Sequence, residues 1–202
     1  MTAHASNAPV TMLDYSIARR DAQAPIRAAA VVLAVGLTAA AAQFTVPLPF
    51  TAVPFTLTPL VVMLTGAALG SRLGFLTQAL YLLAGVAGLA VFTPSATLPP
   101  GALRLIGPTG GYLWAYPIAA FVTGWLAERG WDRRYLTSLA SMLAGLAIIF
   151  AGGVSWLAIA IAPTLPAALA AGFLPFILAD IVKAAVAAAI LPAAWTLLGR
   201  ER

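Results

Sequence analysis

Cysteine is absent from this chain, and histidine occurs only once, at His4. Without cysteine the chain forms no disulfide framework and no thiolate metal site. A single histidine near the amino terminus also excludes a histidine-based catalytic or metal cluster. These absences remove thiol- and histidine-dependent chemistry from the functions that the sequence allows.

Charged side chains are also scarce, at 8% of 202 residues, whereas hydrophobic residues make up 62%. A soluble domain carries about one quarter charged residues, because its surface must face water. Membrane lipid must therefore be the solvent for most of this protein's surface. The net charge of +5 comes from basic residues in short polar breaks rather than from a basic patch with aromatics, which argues against nucleic-acid binding.

The apolar residues form six segments of about the length that crosses a bilayer as a helix. Prolines and polar breaks separate them, and they cover residues 27–46, 55–70, 73–92, 111–128, 135–161 and 173–198. The sequence therefore predicts an all-α fold, an integral membrane bundle of six transmembrane helices. Residues 26–199 would form one substrate-binding domain, and residues 1–25, which lack a continuous apolar run, a cytoplasmic amino-terminal tail.

Basic residues are distributed unevenly between alternate breaks. With six spans, one side of the membrane carries Arg104 alone, and the other side carries nine basic residues, Arg19, Arg20, Arg27, Arg72, Arg129, Arg133, Arg134, Arg200 and Arg202. Basic residues favour the cytoplasmic side. Both termini are therefore predicted to be cytoplasmic, with Arg104 on the outer face of a bacterial cytoplasmic membrane.

The sequence contains no nucleotide-binding motif. The glycine-rich run from Gly107 to Gly111 lacks the Lys-Ser/Thr pair that a phosphate-binding loop requires. No cofactor is expected in this chain. If transport through it uses ATP, partner subunits must hydrolyse the nucleotide.

Asp180 and Lys183 are ionisable residues inside an apolar segment. Three residues apart, they share a helix face, about 10 and 15 Å from the outer end of the last segment. Each would be costly against lipid, so the pair must face the bundle interior or a wet cavity. Three interpretations stay open: a structural ion pair, a substrate site in which Asp180 accepts N–H groups and Lys183 donates to oxygen, and a proton relay, for which one pair is poorly suited.

Arg104 and the turn that follows it are further candidates for binding. Arg104 is either a solvated or headgroup-bound arginine or a clamp for an anionic group, because guanidinium pairs bidentately with carboxylate. In the run from Gly107 to Tyr112, glycines allow close backbone approach, and free N–H groups at a helix start can hold an anion. A tight turn with nothing bound is an equal alternative.

The first apolar segment carries small residues at four-residue spacing. One stripe contains Ala30, Ala34, Thr38 and Ala42, and a parallel stripe contains Ala28, Val32, Gly36 and Ala40. Such stripes let helices approach closely in lipid. The contacted helix belongs either to this chain, which is the commoner case, or to a partner protein.

Several motifs, taken together, resemble one known family. They are Val53-Pro-Phe-Thr-Leu57, Leu64-Thr-Gly-Ala-Ala-Leu-Gly70, Tyr81-Leu-Leu-Ala-Gly85, Gly107-Pro-Thr-Gly-Gly-Tyr112, Leu174-Pro-Phe176 and Asp180-x-x-Lys183. On these motifs the chain resembles BioY, the biotin-specific substrate-binding (S) components of energy-coupling factor (ECF) transporters. The resemblance implies a six-helix protein, not an enzyme, that takes up biotin from the outer face and delivers it inward.

The resemblance also implies roles for individual residues. Asp180 and Lys183 match the family's biotin-binding Asp-x-x-Lys, so Asp180 would accept from a ureido N–H and Lys183 would donate to an adjacent oxygen. As a hypothesis from the chemistry of biotin, the carboxylate is held by Arg104 or by the backbone from Gly107 to Gly111, which includes Thr109 and Gly110. Tyr81, Phe92 and Tyr112 are candidate walls for the apolar part.

Partners follow from the same resemblance. A transmembrane coupling subunit and two cytoplasmic ATPases are expected, with Ala30 and Ala34 facing the coupling subunit, and a homo-oligomer is an alternative assembly. Competing functions are an S component for another vitamin, a channel, and an intramembrane enzyme. The enzyme would need a nucleophile with a base, or a metal cluster, and the sequence fits neither well.

Overall fold

The computed structural model of the protein describes residues 11–17, 23–95, 97–162 and 164–200. The predictions made for His4, Arg19, Arg20 and Arg202 lie outside these residues. The described chain is helical, which confirms the predicted helical class. Its elements are α1 Met12–Ile17, α2 Gln23–Gln43, β1 Thr45–Val46, β2 Phe55–Thr56, α3 Thr58–Leu69, α4 Ser71–Val86, α5 Gly110–Ala127, α6 Tyr135–Ala160, α7 Leu165–Gly172 and α8 Ile177–Arg200, with 3₁₀ turns at Ala102–Leu105 and Trp131–Arg133.

The six predicted segments correspond to α2, α3, α4, α5, α6 and α8. By length and composition, three of the described helices can cross a membrane, namely α2, α6 and the part of α8 from Ile177 to Leu197. Helix α3 is apolar but only 12 residues long. The number of six spans therefore remains a prediction.

The second predicted segment is shorter in the structure because its first residues are not helical. Phe55 and Thr56 form a two-residue antiparallel ladder with Val46 and Thr45. Helix α3 then begins at Thr58 with a proline in its first turn, a position that suits the fixed φ of proline. The ladder closes the proline-rich link between α2 and α3 into a compact loop.

The third and sixth segments also differ from their predicted ends. Helix α4 ends at Val86 and not at Phe92, and Gly88 follows with φ +95, a left-handed conformation that suits glycine. Helix α8 begins at Ile177 rather than Phe173, because the preceding residues form the short helix α7 and a turn. Both departures lie at the end of the bundle that contains Arg104.

Helix α5 lies at the centre of the bundle and packs against α3, α4 and α6, while α8 packs against α6. Glycines permit the closest approaches: a Cβ added at Gly66 of α3 would lie 2.7 Å from the Cα of Ala120 in α5. At the opposite end from Arg104, the turn between α3 and α4 is capped by Glu128, which accepts from the Ser71 N–H at 2.7 Å and from its hydroxyl at 2.8 Å.

Helix α1, which lies within the predicted tail, packs against the bundle. Helix α1 contacts α3, and Asp14 forms a 2.8 Å salt bridge with Arg27 of α2. The ring of Tyr15 packs edge-on against Trp195 of α8, with centroids 5.3 Å apart. The Trp195 indole donates to Asp132 in the α5–α6 turn at 2.5 Å.

A buried polar clamp joins α2, α3 and α4. The amide nitrogen of Gln78 donates to the hydroxyls of Thr38 and Thr65 at 3.3 and 3.2 Å. Each hydroxyl donates its own hydrogen to a carbonyl of its own helix, Thr38 to Ala34 and Thr65 to Val61, both at 2.8 Å. The hydroxyls can therefore act only as acceptors toward Gln78, which fixes the orientation of its amide.

Candidate functional site

Lys183 and Asp180 form a buried ion pair on α8. The Lys183 ammonium lies 2.6 Å from Asp180 Oδ1, and both side chains are more than nine-tenths buried. The ammonium also donates to the Thr56 carbonyl at 2.6 Å and lies 3.6 Å from the centre of the Phe55 ring. The pair is thus fixed between α8 and the β1–β2 loop, and two of the three ammonium N–H groups are already used.

This pair lies in the wall of a cavity of about 50 Å³ that is lined by residues of α3, α4, α5, α6, α8 and their connecting loops. The sequence-predicted residues that line it are Tyr81, Phe92, Arg104, Thr109, Tyr112, Asp180 and Lys183. Gly107 and Gly110 are not in its lining. The cavity therefore brings together the predicted polar groups and aromatic walls, but not the glycines of the turn.

Other residues of the lining were not predicted from the sequence. They are Val53, Pro54, Thr56, Pro59, Thr93, Leu113, Tyr116, Ile149, Phe150 and Phe176. Tyr116 had a usable signal, since it follows Tyr112 by four residues and so shares its helix face. Ile149 and Phe150 had none, because they are ordinary apolar residues within the long apolar run of α6.

The aromatic walls are held by hydrogen bonds to backbone carbonyls. The Tyr112 hydroxyl donates to Gly172 at the end of α7 at 2.6 Å. The Tyr81 hydroxyl donates to Val91 at 3.2 Å, and the Tyr81 ring meets Phe92 edge-on with centroids 5.4 Å apart. These contacts place three rings around the cavity, and the hydroxyls of the two tyrosines are bonded to the backbone.

Arg104 is buried, with 6% of its surface exposed, so the structure does not show it as a solvated arginine. It lies on the Ala102–Leu105 turn, where its guanidinium donates to the Thr93 carbonyl and, at 3.2 Å, to the Leu98 carbonyl. Burial lowers the pKa of this guanidinium. Arg104 thus ties down the loop that follows α4 while also lining the cavity.

The glycine turn serves helix packing. The Gly107 carbonyl accepts from the Trp156 indole of α6 at 2.9 Å. A Cβ at Gly111 would overlap the Gly152 carbonyl and the Trp156 side chain, so glycine is what lets α5 approach α6 at this level. Of the two interpretations offered by the sequence, the contacts of Gly107 and Gly111 favour the tight turn over the anion site.

The two small-residue stripes of α2 face opposite ways. Ala34 is only 4% exposed and lies in the bundle interior with Thr38 and Ala42, and Ala30 is half-buried. The parallel stripe faces outward: Val32 is 71% exposed, and a Cβ added at Gly36 would meet open space. The expectation that Ala34 faces a partner is therefore corrected, because packing inside this chain already uses it.

The arrangement suits recognition of a small molecule better than catalysis. An acid and a base, both buried, share a mostly apolar cavity with three tyrosines, a composition typical of ligand sites. The residues that the structure describes contain no cluster of three or more histidine, cysteine or acidic residues that could hold a metal. Fold and site together define a helical membrane protein with a buried small-molecule cavity.

Comparison with known proteins gives the family. Residues 14–200 match the BioY family, and the chain belongs to it. It is 42% identical over 145 residues to the biotin transporter BioY of Thermotoga maritima, which covers 72% of this chain and 82% of that protein. It is 43% identical over 160 residues to the probable biotin transporter BioY of Pyrococcus horikoshii, covering 79% of this chain and 90% of that protein.

A solved structure shows the same fold. The crystal structure of the S-component for biotin from an ECF-type ABC transporter aligns with a TM-score of 0.78 over 87% of this chain and 94% of that chain, at 23% identity. The family expected from the motifs is therefore confirmed. The curated relatives are named as transporters and not as enzymes, so the prediction that this protein is not an enzyme is also confirmed.

Proposed function

We propose that this protein captures biotin in the cavity beside Asp180 and Lys183 and serves its uptake across the membrane. The observation that carries the proposal is the buried acid–base pair in the wall of a cavity lined by Tyr81, Tyr112 and Tyr116. The names of its relatives in Thermotoga maritima and Pyrococcus horikoshii support biotin as the ligand.

The hydrogen-bond donor and acceptor that the pair leaves unused suit the ureido group of biotin. Lys183 donates to Asp180 Oδ1, which leaves Oδ2 to accept a ureido N–H. The third N–H of the ammonium can donate to the ureido oxygen. The aromatic rings then pack against the apolar bicycle and tail, and Arg104, with N–H groups beyond the two that hold the loop, pairs with the carboxylate.

The same proposal includes how the protein sits in the membrane. Its helices span the bilayer six times with both termini in the cytoplasm, and the cavity opens to the outer face of a bacterial cytoplasmic membrane. The position of the pair supports this, since Asp180 and Lys183 lie within the first two turns of α8, at the end that carries the Arg104 turn. Almost all other basic residues lie in the tails and alternate breaks.

This chain contains no nucleotide-binding motif, so an ATP-driven delivery inward would depend on partner subunits. We propose a transmembrane coupling subunit and two cytoplasmic ATPases as partners, in line with the ECF-type transporter that contains the matching S-component. The exposed stripe of α2 at Val32 and Gly36 is the face left free for the coupling subunit.

The test is equilibrium binding of labelled biotin to the detergent-purified protein and to Asp180→Asn. Loss of one charge-assisted hydrogen bond should weaken binding about 10- to 100-fold. Asp132→Asn is the matched control, because Asp132 is equally buried but lies in the α5–α6 turn, outside the cavity. Undiminished binding by both Asp180→Asn and Lys183→Ala would overturn the site, and no binding by folded wild-type protein would overturn the ligand.

A further inference from the structure

Four consecutive carbonyls in the loop after α4 accept hydrogen bonds from side chains. Gln43 donates to Ala90 at 3.2 Å and to Phe92 at 3.3 Å, and the Tyr81 hydroxyl donates to Val91 at 3.2 Å. The Arg104 guanidinium donates to Thr93. The segment Ala90–Thr93 is therefore fastened by three side chains, from the end of α2, from α4 and from the Ala102–Leu105 turn.

Residues Ala90–Thr93 belong to no helix and to no strand ladder. Among the residues that the structure describes, their backbone hydrogen bond, from the Val91 N–H to the Leu89 carbonyl at 2.8 Å, is local. The position of this backbone depends on the side chains that donate hydrogen bonds to it, because the segment is not part of a cooperative helix or sheet. Releasing one of the three side chains therefore loosens the whole segment.

The segment forms a wall between two spaces. Phe92, Thr93 and Arg104 line the inner cavity of about 50 Å³, and the same three residues line a cleft of about 240 Å³ outside it. The inner space alone is small for an organic ligand, since such sites measure about 300–1,000 Å³. Displacing the segment would join the two spaces and approach that range.

Gln43 differs from the other two fastening residues in its position. Tyr81 and Arg104 are buried and line the inner cavity, whereas Gln43 is exposed and lines only the outer cleft. It is the last residue of α2. Its bonds to Ala90 and Phe92 are long for hydrogen bonds, and its amide nitrogen also lies 3.4 Å from the Ala39 carbonyl, so three acceptors share two N–H groups. Because the Gln43 side chain is exposed, water can replace these bonds at lower cost than those of the buried pair.

We propose that Gln43 is a positioning residue that holds Ala90–Phe92 closed as a movable wall and thereby sets how fast ligand enters and leaves the cavity. This inference rests on the proposed function for its ligand. The proposal also couples α2 to the cavity, because a shift at the end of α2 would displace the segment Ala90–Phe92 through the Gln43 amide.

The kinetic test compares biotin association and dissociation rates for wild type, Gln43→Ala and Gln43→Glu. Glutamate keeps the shape of the side chain but has no N–H to donate. Both variants should raise association and dissociation together, each about 3- to 10-fold, with a dissociation constant within about twofold of wild type. Gln23→Ala is the matched control, since Gln23 is an exposed glutamine at the other end of the same helix.

A ligand-independent measurement separates this inference from the proposed function. The chain has no cysteine, so a nitroxide on Ala90→Cys reports on the segment alone. Its spectrum should show greater mobility in Gln43→Ala than with Gln43 present, with the melting temperature unchanged. Unchanged mobility would overturn the role of Gln43 even if biotin binds. Increased mobility in a protein that binds no biotin would support the fastening and overturn only the ligand.

Discussion

At the scale of single residues, the Asp180–Lys183 pair has a structural and a binding role that one substitution cannot separate. The two groups neutralise each other within a bundle that faces lipid, and removing either leaves a buried charge. The same two groups offer their remaining acceptor and donor, Asp180 Oδ2 and the third N–H of Lys183, to a ligand in the proposed site. A change at one residue therefore disturbs stability and affinity at once.

A double substitution separates the two roles. Lys183→Met should lower stability by about 3–5 kcal/mol, because Asp180 is left without its partner. Asp180→Asn with Lys183→Met should recover most of that stability, since no isolated charge remains, but should not recover biotin binding. Thermal melting and equilibrium binding in detergent would measure both. Full recovery of binding in the double variant would make the pair purely structural.

Asp132 provides a second test at this scale, at the opposite end of the bundle. Burial raises the pKa of its carboxyl, and the Trp195 hydrogen bond only partly offsets that rise. The folded protein therefore binds this proton more tightly than the unfolded chain, so the contribution of Asp132 to stability is present at low pH and is lost as pH rises through the folded-state pKa.

Asp132→Asn removes this titration while keeping a carbonyl oxygen that can accept from Trp195. The variant should melt at a higher temperature than wild type at pH 7, and the difference should shrink at acidic pH. Melting curves over a pH series would measure it. A difference that grows toward low pH would contradict the direction of the pKa shift.

At the scale of helices and loops, hydropathy predicts the apolar segments but not the residues at which the helices begin and end. Leu89 to Phe92 is apolar and reads as a continuation of α4, yet Gly88 turns the chain and side chains far away in sequence hold the following carbonyls. Such long-range donors leave no local pattern. The sequence also does not predict which side of α2 packs inside the bundle, because both of its stripes contain small residues.

The close contact between α5 and α6 gives a prediction for helix packing. Gly111→Ala should destabilise the protein by about 1–3 kcal/mol, because the added methyl group overlaps the Gly152 carbonyl and Trp156. Gly36→Ala is the control: it faces open space in the middle of α2 and should be neutral or slightly stabilising. Melting temperatures in one detergent would compare the two, and equal effects would contradict the packing role.

At the scale of the whole molecule, the sequence identified the family and the polar residues of the candidate site, but not all of the residues that line its cavity. Asp180 and Lys183 were found because ionisable residues stand out in an apolar segment. Phe150 and Ile149 were missed because an apolar wall residue and an apolar lipid-facing residue look alike in sequence. Only the packing of α6 against α5 and α8 distinguishes them.

The proposed topology is testable because the chain lacks cysteine. A single Ser95→Cys, in the loop near Arg104, should react with a membrane-impermeant maleimide on intact cells. Arg134→Cys, between α5 and α6, should react only after the membrane is opened. The reverse pattern would place the termini outside, and labelling of both positions on intact cells would contradict the single span, α5, between them.

The Gln78 clamp has a consequence for how the protein is made. Thr38 leaves the ribosome 40 residues before Gln78, so α2 enters the membrane before the amide that fixes its facing exists. Until α4 follows, the hydrogen bond from Gln78 to Thr38 cannot form. We therefore expect the final facing of α2 to be fixed only when α4 inserts and Gln78 reaches Thr38 and Thr65.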